Sequence, residues 1–375
     1  MMIGIDIRVL AGDLQNGIAQ YLLNILPELI KLDPQIKFKL FFSSLKKHKL
    51  DYDWLKEKNI ELYRFKISNH FLFASSKIFN RPCLDKMVRG ADIFFSPHFF
   101  LAPLSGECKS AVVFHDLSFL RYPEFFSWRK NIWHRFEMNP KKQALAADKI
   151  IAVSRSTRND LIYFFGTNSN KIKVIYSGLS KNFLVKPNQE EMEKVKSKYL
   201  LPEKFFLYLG KIEPRKNIIG IIKAFETFSD KSFHLVIAGE LGWLCKDVLK
   251  AYDTSPCKRL IHFIGSVDEK DKSSVYQLSK TLIYPSFFEG FGFPPLEAMA
   301  LRIPVITSRN SSIPEVVGDS ALLVDPYNVG EISQAMESLI SNDFLRQSFV
   351  EKGIQRSKLF SWQKTAEETL DFLVS

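Results

Sequence analysis

Short runs of β-branched and aromatic residues alternate with segments of helical period from one end of this sequence to the other. Such alternation calls for parallel sheets covered by helices, because neighbouring parallel strands must be joined by a crossover long enough to hold a helix. The runs lie at residues 2–9, 38–42, 60–65, 93–96, 111–114, 150–153 and 174–176, and a second series lies at 205–209, 235–238, 261–264, 282–284, 305–307 and 322–324. After Gly17, the residues Ile18, Tyr21, Leu22, Ile25, Leu26, Leu29 and Ile30 fall on one helical face. Residues 180–203, between the two series, are polar, charged and without strand signal, and read as a partly helical join. The expected architecture is two similar α/β halves, 1–180 and 181–358, with a cleft between them. Residues 359–375 supply a terminal amphipathic helix packing back towards the first half. Ligands of such sheets bind beyond the carboxyl ends of the strands.

Composition narrows the class. A chain of 375 residues is too long for one core and suits two domains, and 46% hydrophobic with 25% charged residues suits a globular fold. The formal charge of +11 favours anionic partners: a phosphorylated substrate, an acidic membrane surface or nucleic acid. Charge alone chooses none of them. Cys83, Cys108, Cys245 and Cys257 form no C-x-x-C pair and stand by no His at zinc spacing, so neither a disulfide framework nor a structural metal is expected, and a reducing cytoplasm is the expected location. The opening MMIGIDIRVL has no basic leader and is not expected to be a signal peptide, and no run approaches the roughly 20 apolar residues that span a bilayer.

Four windows carry chemistry. In YPSFFEGFGFPPLEAMALRIP, residues 284–304, a strand end passes through a glycine loop into a helix started by Pro294 or Pro295. Amides at a helix N-terminus attract anions, and Gly290 and Gly292 let the backbone approach a phosphate. Glu289 and Glu297 flank this loop. A carboxylate beside a phosphate is repelled unless it faces hydroxyls, so sugar and ribose hydroxyls are its natural partners. The alternative is an ordinary strand–loop–helix turn whose acids favour the helix N-terminus. In LGKIEPRKN, residues 209–217, Lys211 and Lys216 follow a strand end with Arg215 beside them, placed to stabilise a departing anion or else solvated as a basic loop. His115-Asp116 ends the strand 111–114, where a histidine faces a ligand or is a satisfied core group. Gln15-Asn16-Gly17 opens the first helix, with Ala19 and Gln20 after it. Neither that loop nor residues 237–240 forms G-x-G-x-x-G, so no dinucleotide redox cofactor is expected.

Taken in order, these windows resemble a known family. Glu289 and Glu297 match the E-x7-E signature of the retaining glycosyltransferases of family 4, and the continuation through Pro304-Val305-Ile306-Thr307, Ser311-Ser312-Ile313-Pro314-Glu315-Val316 and Val324-Asp325-Pro326 follows the same pattern. The resemblance covers nearly the whole chain. It implies the GT-B fold, two Rossmann-like α/β/α domains facing a central cleft, with catalysis that needs no cofactor and no metal. It implies that His115, Lys216 and Glu289 serve the reaction: Glu289 holds hydroxyls of the transferred hexose, His115 meets its primary-alcohol region, and Lys216 grips the diphosphate. Donor contacts would come from Gly17, Lys211, Gly265, Ser266, Val267, Gly290, Phe291, Gly292, Phe293 and Glu297, with Glu297 on the ribose, Gly265 to Val267 near the nucleobase, and amides around Gly292 and Phe293 on the diphosphate. Arg215 is read as structural or as a rim contact. Ala19 and Gln20 stand where relatives often have Gly and Arg, which leaves phosphate gripping by residue 20 unsupported.

The segments GIDIRVLAG, FHDLSFLRYPEFF, GKIEPRKN and SSIPEVVGDSALLVDP look most like bacterial mannosyltransferases of O-antigen and related polysaccharides, so GDP-mannose is the favoured donor and a glycan or lipid-linked glycan the acceptor. Two rival readings stand beside this: a UDP-sugar epimerase of the same fold, and a non-catalytic nucleotide-binding relative. No nucleic-acid reading motif accompanies the charge, and no nucleic-acid partner is expected. Asp51-Tyr52-Asp53 imitates the D-x-D manganese motif of the other major glycosyltransferase fold, but it does not end an apolar strand and reads as surface. Residues 62–81 mix Arg64, Lys66, Lys77 and Arg81 with several Phe. They read either as a strand and helix with basic exposed positions or as a patch for an anionic membrane, which would make the protein peripheral on the inner face of the cytoplasmic membrane.

Overall fold

A computed structural model of the chain describes residues 1–375 apart from 15 and 101, and the side chains of all of these except 136 and 137. Gln15, which opens the first glycine loop, lies outside the described residues. The described chain forms two compact units: Met1–Leu117 with Ile132–Gly178 and Ser361–Ser375, and Ser118–Asn131 with Leu179–Phe360. The stretch Ser118–Asn131 thus groups with the second unit, which a single division at residue 180 does not foresee.

Every apolar run read from the sequence becomes a strand. In the first unit these are β1 (Met2–Asp6), β2 (Lys37–Ser43), β3 (Ile60–Phe65), β4 (Ile93–Ser96), β5 (Lys109–Phe114), β6 (Lys149–Ala152) and β7 (Ile172–Val174). They lie in the order β3-β2-β1-β4-β5-β6-β7 and all pair in parallel. The second unit holds β8 (Phe205–Leu209), β9 (His234–Ala238), β10 (Ile261–Gly265), β11 (Thr281–Tyr284), β12 (Val305–Ser308) and β13 (Leu322–Val324). Their order is β10-β9-β8-β11-β12-β13, again parallel. Both orders run outward from the first strand, return, and continue on its other side. The reversal falls between β1 and β4 and between β8 and β11, and such points open a crevice at the strands' carboxyl ends.

Strands covered on both faces should be apolar throughout rather than alternating. That is the case for β4, β8 and β11, which are buried along their whole length, while the edge strand β3 is only half covered. The run at 2–9 stops early. After Asp6 its carboxylate accepts from the Arg8 amide at 3.0 Å and pairs with the Arg8 guanidinium at 2.6 Å, turning the chain into the 3-10 turn Arg8–Ala11. The last run of the first half is displaced too, because pairing with β6 begins at Ile172.

The helix Gly17–Leu32 is capped by Asn16, whose side chain accepts from the amides of Ile18 and Ala19, and it buries Tyr21, Leu22, Ile25, Leu26, Leu29 and Ile30 as its period requires. The terminal helix Trp362–Val374 packs on it within the first unit, with Trp362 edge-on to Tyr21 at 5.4 Å. Lys149 donates to the carbonyls of Phe372 and Leu373 at 2.6 and 3.2 Å, satisfying the exposed acceptors at that helix end. Gly178 lets the tail come this close: a Cβ there would sit 2.1 Å from the Trp362 backbone nitrogen. Gly178→Ala should therefore loosen the terminal helix and cost about 1–3 kcal/mol, as overpacking against rigid backbone does. Thermal unfolding would show a lowered Tm, and an unchanged Tm would mean that the tail contact carries no stability.

Candidate active site

The second unit assembles its charged groups from two loops at the β8/β11 reversal. Beyond β8 the chain runs through Gly210 and Lys211 into the 3-10 turn Pro214–Lys216, and Asn217 closes that turn in the left-handed region at φ 58°. Asn217 also caps the helix Ile218–Thr227, and its Nδ2 donates to the carbonyls of Pro285 and Pro326 at 3.2 and 2.6 Å. One asparagine thereby ties the lysine turn to the loop after β11 and to the Val324-Asp325-Pro326 segment.

Beyond β11, Pro285 to Gly292 lead into the helix Phe293–Ala300, with Gly292 at φ 109° before its first turn and a proline within it. A Cβ on Gly292 would lie 2.7 Å from the Ile313 side chain, so both its torsion and its packing call for glycine. The following serines hold this loop. The Glu289 amide donates to Ser311 Oγ at 2.9 Å, and Ser312 Oγ lies 2.9 and 2.8 Å from the carbonyls of Glu289 and Phe291.

These two loops bring Lys216 and Glu289 together. Lys216 Nζ donates to Glu289 Oε1 at 2.6 Å and to the Tyr284 hydroxyl at 2.6 Å, and Arg215 Nη1 donates to Glu289 Oε2 at 3.1 Å. Arg215 also donates to the Phe288 carbonyl at 3.1 Å and pairs with buried Glu213. Arg215 is thus more than a rim residue, and Glu213, which sequence reading passed over, is its counter-charge. Burial alone would raise the Glu289 carboxyl, but Lys216 and Arg215 overcome it and hold its pKa at about 2. Burial lowers the Lys216 ammonium, Arg215 adds to this, and the carboxylates oppose it. Lys211 is exposed and forms no ion pair among the described residues, and its carbonyl accepts from the Tyr208 hydroxyl at 2.9 Å.

Glu297 is placed differently. It accepts from the Tyr276 hydroxyl at 2.8 Å, and burial raises its pKa to about 7 against the pull of Lys272 and Tyr276. Gly265, at φ 71°, ends β10 at a register shift, with Ser266 and Val267 following it. Phe291 and Phe293 pack against each other at 5.2 Å beside Gly290 and Gly292.

His115 and Gly17 belong to the first unit. His115 follows β5, and its Nε2 lies 2.7 Å from the Pro97 carbonyl, so that nitrogen carries the proton and Nδ1 is left as an acceptor. Burial lowers its pKa, which keeps the ring neutral. Tyr21, on the helix that starts at Gly17, meets the His115 ring edge-on at 5.1 Å. A Cβ on Gly17 would meet nothing within 4 Å, so the fold itself does not demand a glycine there. Asp51 and Asp53 are surface groups paired with Lys49 and Lys56 at 2.7 Å each. Among the described residues no cluster of three or more His, Cys, Asp or Glu could hold a metal ion.

Family models account for most of the sequence: "Glycosyltransferase Family 4" matches residues 15–182 and "Glycosyl transferases group 1" matches residues 189–356. The chain belongs to glycosyltransferase family 4. It is 29% identical over 282 residues to O-antigen chain mannosyltransferase B of Escherichia coli, covering 74% of this chain and 73% of that one. It is 30% identical over 269 residues to the serotype-specific mannosyltransferase WbdA of Escherichia coli, covering 70% of this chain but only 33% of that longer protein. Among solved structures it is similar to sucrose-phosphate synthase from Thermosynechococcus elongatus, with a TM-score of 0.76 at 17% identity over 99% of this chain and 98% of that one. It is also similar to HepE of Anabaena bound to UDP and glucose, with a TM-score of 0.72 at 16% identity over 100% of this chain and 99% of that one. Identities this low establish the GT-B fold and no more. This glycosyltransferase thus has two Rossmann-like units.

The two acids make opposite demands on pH. Glu289, held below its ordinary 4.5, contributes stability that is complete above that value and lost as pH falls towards about 2. Glu297, raised to about 7, favours the fold when protonated, so its contribution is complete below 4.5 and lost as pH rises through 7. Glu297→Gln should accordingly raise the Tm of the ligand-free glycosyltransferase at pH 8 and leave it nearly unchanged at pH 5. An equal change at both pH values would show that Glu297 titrates normally.

Proposed function

We propose that this glycosyltransferase moves mannose from GDP-mannose to a glycan or lipid-linked glycan acceptor, with retention and without a metal. The observation that carries this reading is the buried Glu289 carboxylate locked by Lys216 and Arg215 beside the glycine loop and helix Phe293–Ala300. A diphosphate leaving group gains charge as the sugar bond breaks, and cations already fixed in place stabilise it without reorganising. In this reading Glu289, ionised at neutral pH, accepts from hexose hydroxyls, and Glu297 accepts from ribose hydroxyls. His115 Nδ1 can accept from a primary alcohol. The mannose preference is supported by the names of the O-antigen relatives.

The same-face route suits this machinery, because it asks the protein for no nucleophilic carboxylate and makes no covalent sugar intermediate. In the same-face route the C1–O bond to the diphosphate breaks, the acceptor oxygen bonds C1 from that side, and a phosphate oxygen takes the acceptor's proton. The protein then contributes positioning and charge. Transfer assays with GDP-mannose, UDP-glucose, UDP-GlcNAc and UDP-galactose, each with and without EDTA, test donor and metal independence together. GDP-mannose should be consumed preferentially, with EDTA without effect; preference for another donor or loss with EDTA would overturn the corresponding claim. Lys216→Ala should lower turnover roughly 10²–10³-fold, and a variant with wild-type turnover would remove Lys216 from the mechanism.

Peripheral membrane binding extends the same reading. None of the described helices is long and apolar enough to cross a bilayer. The helix Asn69–Phe79 buries Leu72 in the first unit's core but leaves Phe71, Ile78 and Phe79 exposed by 64, 71 and 71%. Residues 62–84 around it contain Arg64, Lys66, Lys77 and Arg81 and no acid. Exposed apolar side chains on a stretch that is basic and free of acids suit an anionic lipid surface. The protein should sediment with phosphatidylglycerol vesicles and not with phosphatidylcholine vesicles, and Phe71→Ser with Ile78→Ser should abolish this. Equal binding by that double variant would exclude the helix as the contact.

A further inference from the structure

We propose that Lys130 is a further cation of the diphosphate subsite, carried there by Ser118–Asn131 and held on the face of Trp243. The proposal rests on the donor reading above and adds a residue that no motif of the sequence marks.

Ser118–Asn131 lies in the first half of the sequence but packs within the second unit. Its aromatics anchor it: Phe125 stacks on Phe287 at 5.1 Å, Tyr122 meets Phe288 at 5.9 Å, and Phe126 stacks on Trp243 at 5.6 Å. Phe287 and Phe288 immediately precede Glu289, so the segment is fastened to the loop that bears the buried carboxylate. Trp243 Nε1 donates to the Phe125 carbonyl at 2.7 Å, which fixes the orientation of its ring. Lys130 Nζ lies 3.2 Å from the centroid of that ring, a close cation–π contact.

The platform under Lys130 is joined to the lysine loop. The Gly242 amide donates to the Ile212 carbonyl at 2.8 Å, and Cys245 Sγ donates to the same carbonyl at 3.0 Å. A Cβ on Gly242 would lie 3.4 Å from Lys211 Cγ and 3.5 Å from Glu213 Cβ. Gly242, the residue before Trp243, therefore borders Lys211 and Glu213. Half-buried Lys130 feels this neighbourhood: burial lowers its pKa, Glu213 pulls it up, and Lys211 and Arg215 push it down.

The charges do not balance within the protein. Glu213 and Glu289 are already paired with Arg215 and Lys216, whereas Lys130 and Lys211 have no ion-pair partner among the described residues. Holding two repelling lysines near two more cations costs stability unless an anion is to be bound. A nucleoside diphosphate supplies that anion. Lys130 then grips its phosphates and stabilises the charge they gain on departure.

Calorimetric titration of the full-length protein with GDP and with inorganic pyrophosphate tests this. Lys130→Ala should weaken both by about tenfold or more, the scale of losing one charge-assisted contact, and should lower kcat along with kcat/KM. Lys130→Arg should recover most of the affinity. Trp243→Leu should weaken both ligands in part, and Lys130→Gln, which keeps the stem on the ring, should match Lys130→Ala. Wild-type affinity in Lys130→Ala and Lys130→Gln, with Lys216→Ala weakened, would overturn the role of Lys130 alone. Wild-type affinity in Lys216→Ala as well would overturn the diphosphate reading beneath it.

Discussion

A carboxylate nearly sealed from water needs positive charge on more than one side, or it takes up a proton. Glu289 receives Lys216 on one oxygen and Arg215 on the other, and Arg215 in turn leans on Glu213. Much of the second unit's loop geometry serves that meeting. Asn217 fixes the turn that aims Lys216, Ser311 and Ser312 fix the backbone on both sides of Glu289, and Tyr284 shares the ammonium. The motifs spread along the sequence are therefore the separate walls of one electrostatic box. Loss of any wall exposes the same buried charge.

Glu297 shows the contrasting choice. Its carboxylate accepts from a tyrosine hydroxyl rather than from a cation, so burial wins and its pKa rises to about 7. Above about pH 7 the ligand-free fold would be more stable with an amide in that place. A group kept at a cost to stability, on a helix that begins at a glycine loop, is what a binding role leads one to expect. The two acids thus contrast: two cations hold Glu289 ionised, while burial lifts the Glu297 carboxyl to about 7.

The fold was legible because parallel strands buried on both faces spell themselves as apolar runs, and each expected run became a strand. The misplacements were local. β1 ends at Asp6 because a salt bridge two residues long interrupts a run that hydropathy alone would continue. Among the candidate residues, the E-x7-E pair, the lysine turn and the strand-end histidine were visible as residue types at or after strand ends. For Arg215 the structural alternative holds over the rim contact, a choice the sequence left open because its partner lies 74 residues away and a basic residue in a polar loop ordinarily points to solvent. Glu213 was hidden among lysines for the same reason. Lys130 was wholly out of reach: its significance depends on Trp243, and nothing in the run of aromatics from Tyr122 to Trp128 distinguishes a piece of one core from a piece of another.

The allegiance of Ser118–Asn131 has a practical consequence for recombination. Hybrids of related glycosyltransferases are naturally cut at the polar join near residue 180, on the assumption that everything before it travels together. Such a hybrid would lay a foreign peptide across Trp243, Phe287 and Phe288, against side chains that were selected with a different one. Exchanging the second unit intact would require grafting this short insert along with the carboxyl half, as a third fragment.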